Sequence, residues 1–509
     1  MPSRRRTPRW TFALVSAGGV MMTLDVTVVN VALSDIARDV DAGLTRVQWT
    51  VSAYSLAFGA LLLTAGALSD RVGRRAVFTA GMALFTLASA ACGLAPDAGT
   101  LIAARAAQGL GGAMVFAPTL ALMAAVYEGA RRQAAIAAFA AIASAAGALG
   151  PIIGGLFVQV LGWRWIFLVN VPIGILVVAG ALTRMPESMA PRDARRRMDL
   201  TGAALGVGAL LALHYPLVAG PESGWAAPRV LVSAAVGVLL ATALVASQRR
   251  GGGLLDMTLL RIRAFSGAAV LGFLARLTSL GVLAFVTLWL QSTHAYSPLE
   301  VGLHLLPLTG SLLLAGLFVA RLQRVFPPDL LVAGGFAAQA LGLAGLGLAG
   351  AGTGPGEGGR AVTVVALVLL GIGGAVIFPP LMGIAVGAAP ADRAGMASGL
   401  TNACYPLGTA TGVAVFGAIF SARLSDGLGT GPGVTGPVRE AVETGRLELL
   451  DPALQPLART AFSGAFTAVC LASALVCLLG VLAARTLRPE AEATGGTAKR
   501  PRSRIAQAS

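Results

Sequence analysis

Fourteen apolar runs, each long enough to cross a bilayer, fill most of this 509-residue chain. A membrane-crossing helix needs about 20 apolar residues. The runs fall at about 10–33, 47–68, 76–95, 100–125, 134–160, 164–184, 200–219, 229–247, 265–291, 299–319, 329–350, 361–387, 396–422 and 460–484. No long polar block separates them, which leaves no room for a soluble catalytic domain. Apolar residues make up 56% of the chain and charged residues 12%, with a mean hydropathy of +0.78. A water-soluble domain could not hide that much apolar surface. A soluble enzyme, a disordered chain and a coiled coil are therefore excluded. The 66 glycines suit closely crossing membrane helices. Arg4-Arg5-Arg6 before an apolar run has the look of a signal peptide. That run is too long, contains Asp25 and leads into further spans, so an uncleaved first helix is expected.

Charge then sets the expected orientation. With the N-terminus inside, the cytoplasmic segments hold 27 of the 38 Arg and Lys residues and the outer segments hold nine. The other two, Arg105 and Arg276, lie inside helices. This bias predicts that both termini are cytoplasmic. The net charge of +15 is thereby accounted for without nucleic acid. Cys92, Cys404, Cys470 and Cys477 all lie in apolar runs without metal-site spacing and read as core residues. No metal and no cofactor is expected.

An internal repeat divides the chain. Residues 109–121 read GLGGAMVFAPTLA and residues 371–383 read GIGGAVIFPPLMG, an offset of 262. The same offset pairs Arg131 with Arg393, Gly150 with Gly412 and Gly155 with Gly417. Helices 4–5 thus match helices 12–13, which predicts two six-helix halves with two helices inserted between them. The expected organisation is a cytoplasmic N-terminus (1–9), an N-terminal bundle (10–184), a linker with the two extra helices (185–264), a C-terminal bundle (265–484) and a basic tail (485–509). Parallel repeats of this kind place a central site between the halves near mid-membrane. Arg105 and Gln108 are matched by Leu367 and Leu370. Polar chemistry is therefore expected in the first half and substrate shaping in the second.

Asp25 is the acid set deepest in a helix, roughly 22 Å along the first one. A carboxylate there must be paired, hydrated or protonated. Burial raises its pKa and a nearby Arg lowers it, so its proton affinity can follow changes around it. Thr23, Thr27, Asn30 and Ser34 form a polar stripe that either lines a cavity or packs on a neighbour. Arg105, Gln108, Gly109 and Gly112 share one face of helix 4, where the glycines admit a neighbour or a ligand beside the guanidinium. Thr27, Asn30, Gln108, Arg276, Gln291 and Asn402 are the polar side chains expected at a central cavity. Gly147, Gly150, Pro151, Gly154 and Gly155 form the close-packed surface of helix 5, in GALGPIIGG. The loop after helix 2 reads GALSDRVGRRAVF, where Gly66, Asp70, Arg71, Gly73 and Arg74 suggest a turn with helix-end charges. Arg276 lies roughly 18 Å into helix 9. His214 and His304 also lie in helices, where packing is the simpler reading.

These motifs together resemble the major facilitator superfamily, and within it the fourteen-helix drug:proton antiporters of the EmrB/QacA type. GALSDRVGRR is similar to the superfamily's loop signature, RAAQGLGGA to its helix-4 motif and GALGPIIGG to the helix-5 motif of exporters. LDVTVVNVAL and WRWIFLVNVPIG point to the fourteen-helix branch. The resemblance implies an all-α polytopic fold in the cell membrane and alternating-access export of a small amphipathic molecule in exchange for protons. A monomer is expected, with the lipid bilayer and no nucleic acid as its surroundings. It implies that Asp25 and Arg105 couple to protons, and that Asp70 and Arg74 belong to a cytoplasmic charge network favouring the outward-facing state. The chain departs from the family at Ser34, where Pro is usual, at Tyr405-Pro406, where Arg-Gln is frequent, and at Gln323, where Asp is expected. A proton-coupled symporter or a metabolite exporter is the alternative. A membrane enzyme would need paired carboxylates, a His cluster or a nucleotide loop, and none is present. One buried acid against two buried arginines leans towards a neutral or weakly acidic substrate.

Overall fold

The computed structural model describes residues 7–189, 198–250, 253, 257–351, 357–390, 393–429, 435–447 and 450–487. The expected N-terminal Arg cluster, part of the linker and most of the basic tail lie outside them. Among the described residues, fourteen helices are long and apolar enough to cross a membrane. They are α1 Pro8–Asp39, α2 Leu44–Val72, α3 Arg74–Gly93, α4 Ala98–Val126, α5 Gly129–Leu161, α6 Trp165–Arg184 and α7 Leu200–Ser223. The rest are α8 Pro228–Arg249, α9 Arg263–His294, α10 Pro298–Val325, α11 Pro328–Ala351, α12 Gly359–Ala388, α13 Met396–Leu428 and α14 Gln455–Ala483. If each of the fourteen crosses once, Thr7 and Leu487 lie on one face, here termed the terminal face. The outer wall is apolar: Leu176, Leu239 and Leu317 are 70%, 67% and 74% exposed. Such side chains suit lipid, where a helix already satisfies its own backbone.

The sequence repeat is a packing repeat. A side chain at Gly109 on α4 would meet the Tyr54 carbonyl of α2, and one at Gly371 on α12 the Leu308 carbonyl of α10. Gly111 abuts Phe85 and Gly81 of α3, as Gly373 abuts Gln339 and Gly335 of α11. Gly150 on α5 seats Thr27 of α1, while Gly412 on α13 seats Leu277 and Gly281 of α9. The next pair crosses between halves: Gly155 meets Pro298 of α10, and Gly417 meets Gln48 of α2. Glycine lets backbones approach where any Cβ would collide.

The halves are hydrogen-bonded together on the face opposite the termini, and α2 also packs on α13 from mid-membrane towards the terminal face, Gly59 against Ala403 and Leu407 and Gly399 against Leu63. Thr287 on α9 donates to the Asn30 carbonyl of α1 at 2.9 Å, Gln291 Nε2 to the Val31 carbonyl at 3.0 Å, and Ser34 to Gln291 Oε1 at 2.7 Å. Gly302 of α10 lies against the Pro151 carbonyl of α5. A short helix, Gly436–Glu443, lies over this face, with Glu440 beside Gly43 of the α1–α2 turn. Arg446 just beyond it pairs with Asp41 at 3.7 Å. Towards the terminal face Gly66 on α2 and Gly383 and Gly387 on α12 border open space. The inserted α7 packs against both α2 and α13, straddling the seam, with His214 edge-on to Trp49 of α2. The more exposed α8 packs on α7 through Gly237.

A candidate proton-coupling centre and a second intramembrane arginine

Asp25 and Arg105 meet inside the N-terminal half. Arg105 Nη1 donates to Asp25 Oδ2, and both side chains are 1% exposed. Gln108, one turn along α4, closes the group: its Nε2 donates to Asp25 Oδ1 at 2.8 Å, and its Oε1 accepts from Arg105 at 2.7 Å. Both carboxylate oxygens are thus bonded to α4. Removing one partner from a buried pair costs about 3–5 kcal/mol, because the other charge is stranded. The depth of Asp25 is tolerable only because of this partnership.

Arg105 also has other acceptors. Its Nε donates to the Thr50 carbonyl at 3.1 Å, and its guanidinium lies 4.5 Å from the Tyr54 ring centre and 5.6 Å from that of Phe167. Gln108 Nε2 reaches Ser89 at 3.2 Å, Asn170 donates to Ser89 at 3.1 Å, and Ser89 donates to the Phe167 carbonyl at 3.0 Å. Cys92 lies 3.6 Å from Gln108 Oε1. One network therefore joins α1, α2, α3, α4 and α6. Arg105 does not reach out to the membrane surface.

The six cavity residues separate. Gln108 is fully buried in this network. Thr27 packs against Gly150 and bonds back to the Thr23 carbonyl at 3.1 Å. Asn30 and Gln291 form the α1–α9 seam. Of the polar stripe of α1, Ser34 bonds Gln291 of α9, whereas Thr23, Thr27 and Asn30 bond back to carbonyls of their own helix and, among the described residues, Asn30 Oδ1 is buried without a partner. Asn402 is partly exposed and bonds to the Ser398 carbonyl at 3.0 Å. Arg276 is partly exposed at mid-depth of α9, with its guanidinium 4.2 Å from the Phe378 ring centre and 5.8 Å from that of Tyr405.

Gly147, Gly150 and Gly154 face α1, whereas Pro151 and Gly155 face α10. The motif on α5 is therefore a two-sided wedge, gripping its own half and touching the other. In the α2–α3 loop Asp70 pairs with Arg74 at 3.3 Å. Gly73, at φ +128°, turns the chain where only glycine sits easily. Glu187, beyond α6, accepts from the Arg75 backbone at 3.0 Å and pairs with its side chain at 3.4 Å. Arg71 is exposed. Among the described residues, this loop's hydrogen bonds and ion pairs go to itself or to Met185, Glu187 and Ser188, never to the C-terminal half.

The sequence reading missed Ser89, Asn170 and Tyr54 around the ion pair, and Glu187 at the loop. Asn170 was within sight, in the WRWIFLVN segment. That segment also anchors α6: Trp163 donates to Asp39 at 3.1 Å, and Arg164 pairs with Asp39.

Comparison with known proteins decides the family. The model for the Major Facilitator Superfamily matches residues 15–413. The chain belongs to the major facilitator superfamily. It is 37% identical over 424 residues to the multidrug resistance protein Stp of Mycobacterium tuberculosis, covering 82% of this chain and 77% of Stp. It is 34% identical to the tetracenomycin C resistance and export protein of Streptomyces glaucescens, over 83% of this chain and 78% of that one. It is 35% identical to the methylenomycin A resistance protein of Streptomyces coelicolor, over 80% and 84% of the two chains. Among solved structures, a bacterial homologue of the lysosomal transporter Spinster, inward-facing and occupied, matches with a TM-score of 0.64 at 14% identity, over 94% of this chain and 97% of that one. With its fourteen spans and drug-resistance relatives, this member is a multi-pass cell-membrane transporter of the efflux class, not an enzyme.

Proposed function

We propose that this transporter exports an amphipathic small molecule in exchange for protons, by alternating access, with both termini in the cytoplasm. The buried Asp25–Arg105–Gln108 network is the observation that carries the reading. Protonating Asp25 removes one partner of Arg105. The Thr50 carbonyl, Gln108 Oε1 and the faces of Tyr54 and Phe167 remain to hold the guanidinium. Loss of the carboxylate charge is therefore less costly here than for an isolated pair. Arg keeps its own proton, so Asp25 is the group that loads and unloads.

Helix α1 links this event to the halves. Asp25 lies six residues before Val31, whose carbonyl accepts from Gln291 of α9. A change in the hold of α4 on α1 thus acts on the helix that also closes the seam. The glycine wedge of α5 allows α1 and α10 to shift across it, as export by rocking halves requires. The names of the relatives suggest antibiotic-like substrates.

The test uses everted membrane vesicles and tetracenomycin C, methylenomycin A and puromycin as trial substrates. The parent should accumulate at least one of them when the interior is acidified, and a proton ionophore should abolish this. Asp25→Asn should reach the membrane and lose gradient-driven uptake by a factor of about a hundred. Parental uptake by the Asn variant would overturn the coupling role.

A further inference from the structure

The second intramembrane arginine stands in a different setting. Arg276 occupies the middle of α9, flanked by Phe378 of α12 and Tyr405 of α13. A guanidinium carries five N–H donors. Among the described residues, no hydrogen bond or ion pair accepts from those of Arg276. Ring faces offset part of its charge but do not replace hydrogen-bond acceptors. A second polar group beside it is also unmatched: the Tyr405 hydroxyl is buried without a hydrogen-bond partner. The Phe378 and Tyr405 rings meet edge-on, 5.1 Å between centres. Glycines hold this corner together, Gly272 accommodating the Tyr405 ring and Gly408 packing beside the Arg276 Cβ. Arg276 is partly exposed rather than sealed in a core.

We infer that Arg276, Tyr405 and Phe378 form the binding site for the negatively charged oxygen of a flat aromatic substrate, such as an ionised phenol, enol or carboxylate. The guanidinium and the Tyr405 hydroxyl supply donors for the oxygen, and the rings supply an apolar bed. The inference deepens the export reading by naming the charge class of its substrate. It lies in the half opposite the ion pair of Asp25, which leaves that acid free for protons.

The test is equilibrium binding to the purified full-length protein in detergent, followed by tryptophan fluorescence. The probes are lawsone, a hydroxynaphthoquinone that is an anion at neutral pH, and its neutral O-methyl ether. The parent should bind lawsone at least tenfold more tightly than the ether. Arg276→Gln should erase that preference while still binding the ether, Arg276→Lys should keep part of it, and Tyr405→Phe should weaken lawsone by several-fold. Equal binding of the two probes by the parent, no binding of lawsone, or an unchanged preference in Arg276→Gln would overturn the assignment. Should Arg276→Gln fail to fold, Tyr405→Phe decides: an unchanged lawsone affinity there also overturns it. No pH gradient is involved, so loss of proton coupling would leave these affinities in place.

Discussion

The two halves share a scaffold and differ in chemistry. Gly109 and Gly111 in one half, and Gly371 and Gly373 in the other, make equivalent backbone approaches, while Gly150 and Gly155 and their counterparts Gly412 and Gly417 pack on equivalent helices. Yet at the positions of Arg105 and Gln108 the second half has Leu367 and Leu370, both buried in its apolar core. The first half spends its polar residues on a sealed ion pair. The second has Arg276 at mid-depth of α9, partly exposed and bedded on aromatic rings. A duplicated bundle thus retains what fixes helix spacing and is free to change what the helices carry.

The comparison breaks first if the N-terminal half is made to resemble its partner. Arg105→Leu alone should strand Asp25, lower stability by about 3–5 kcal/mol and stop transport. Adding Asp25→Leu should recover most of that stability, because an apolar pair can replace a buried ion pair at little cost. Transport driven by a pH gradient should stay absent in the double variant. Thermal melting in detergent reads the first effect and vesicle uptake the second. A double variant that pumps would remove the chemical difference between the halves.

A smaller effect should fall equally on both halves. Gly109→Ala and Gly371→Ala place a methyl 2.3 Å and 2.2 Å from a backbone carbonyl of α2 and α10. Overpacking of this kind costs about 1–3 kcal/mol. The two variants should lose similar melting temperature. A loss confined to one half would show that the repeat no longer has a common structural role.

Much of this was legible from sequence, for a physical reason. Membrane helices announce themselves by apolar length, so all fourteen spans could be read. Glycine positions could be read too, because close packing without a Cβ leaves a fixed register. Side-chain partnerships were harder. Asp25, Arg105 and Gln108 stand out as polar residues in apolar runs, but Ser89, the Thr50 carbonyl and, through Ser89, Asn170 join their network from three further helices, and nothing in linear order joins them. The α1 stripe of Thr27 and Asn30 could not be assigned, because packing on Gly150 and lining a cavity require the same polar spacing. The short helix Gly436–Glu443 was missed because it is too short to register as a span. Its Val438, Ala441 and Val442, spaced three and four apart, were the available sign.

The most direct test of divided labour is substrate exchange without any pH gradient. Proteoliposomes loaded with unlabelled substrate take up labelled substrate through alternating access alone, and no net proton movement is needed. Asp25→Asn should keep this exchange near the parental rate, whereas Arg276→Gln should lose at least nine-tenths of it for an anionic substrate. Exchange abolished by Asp25→Asn yet untouched by Arg276→Gln would contradict the account.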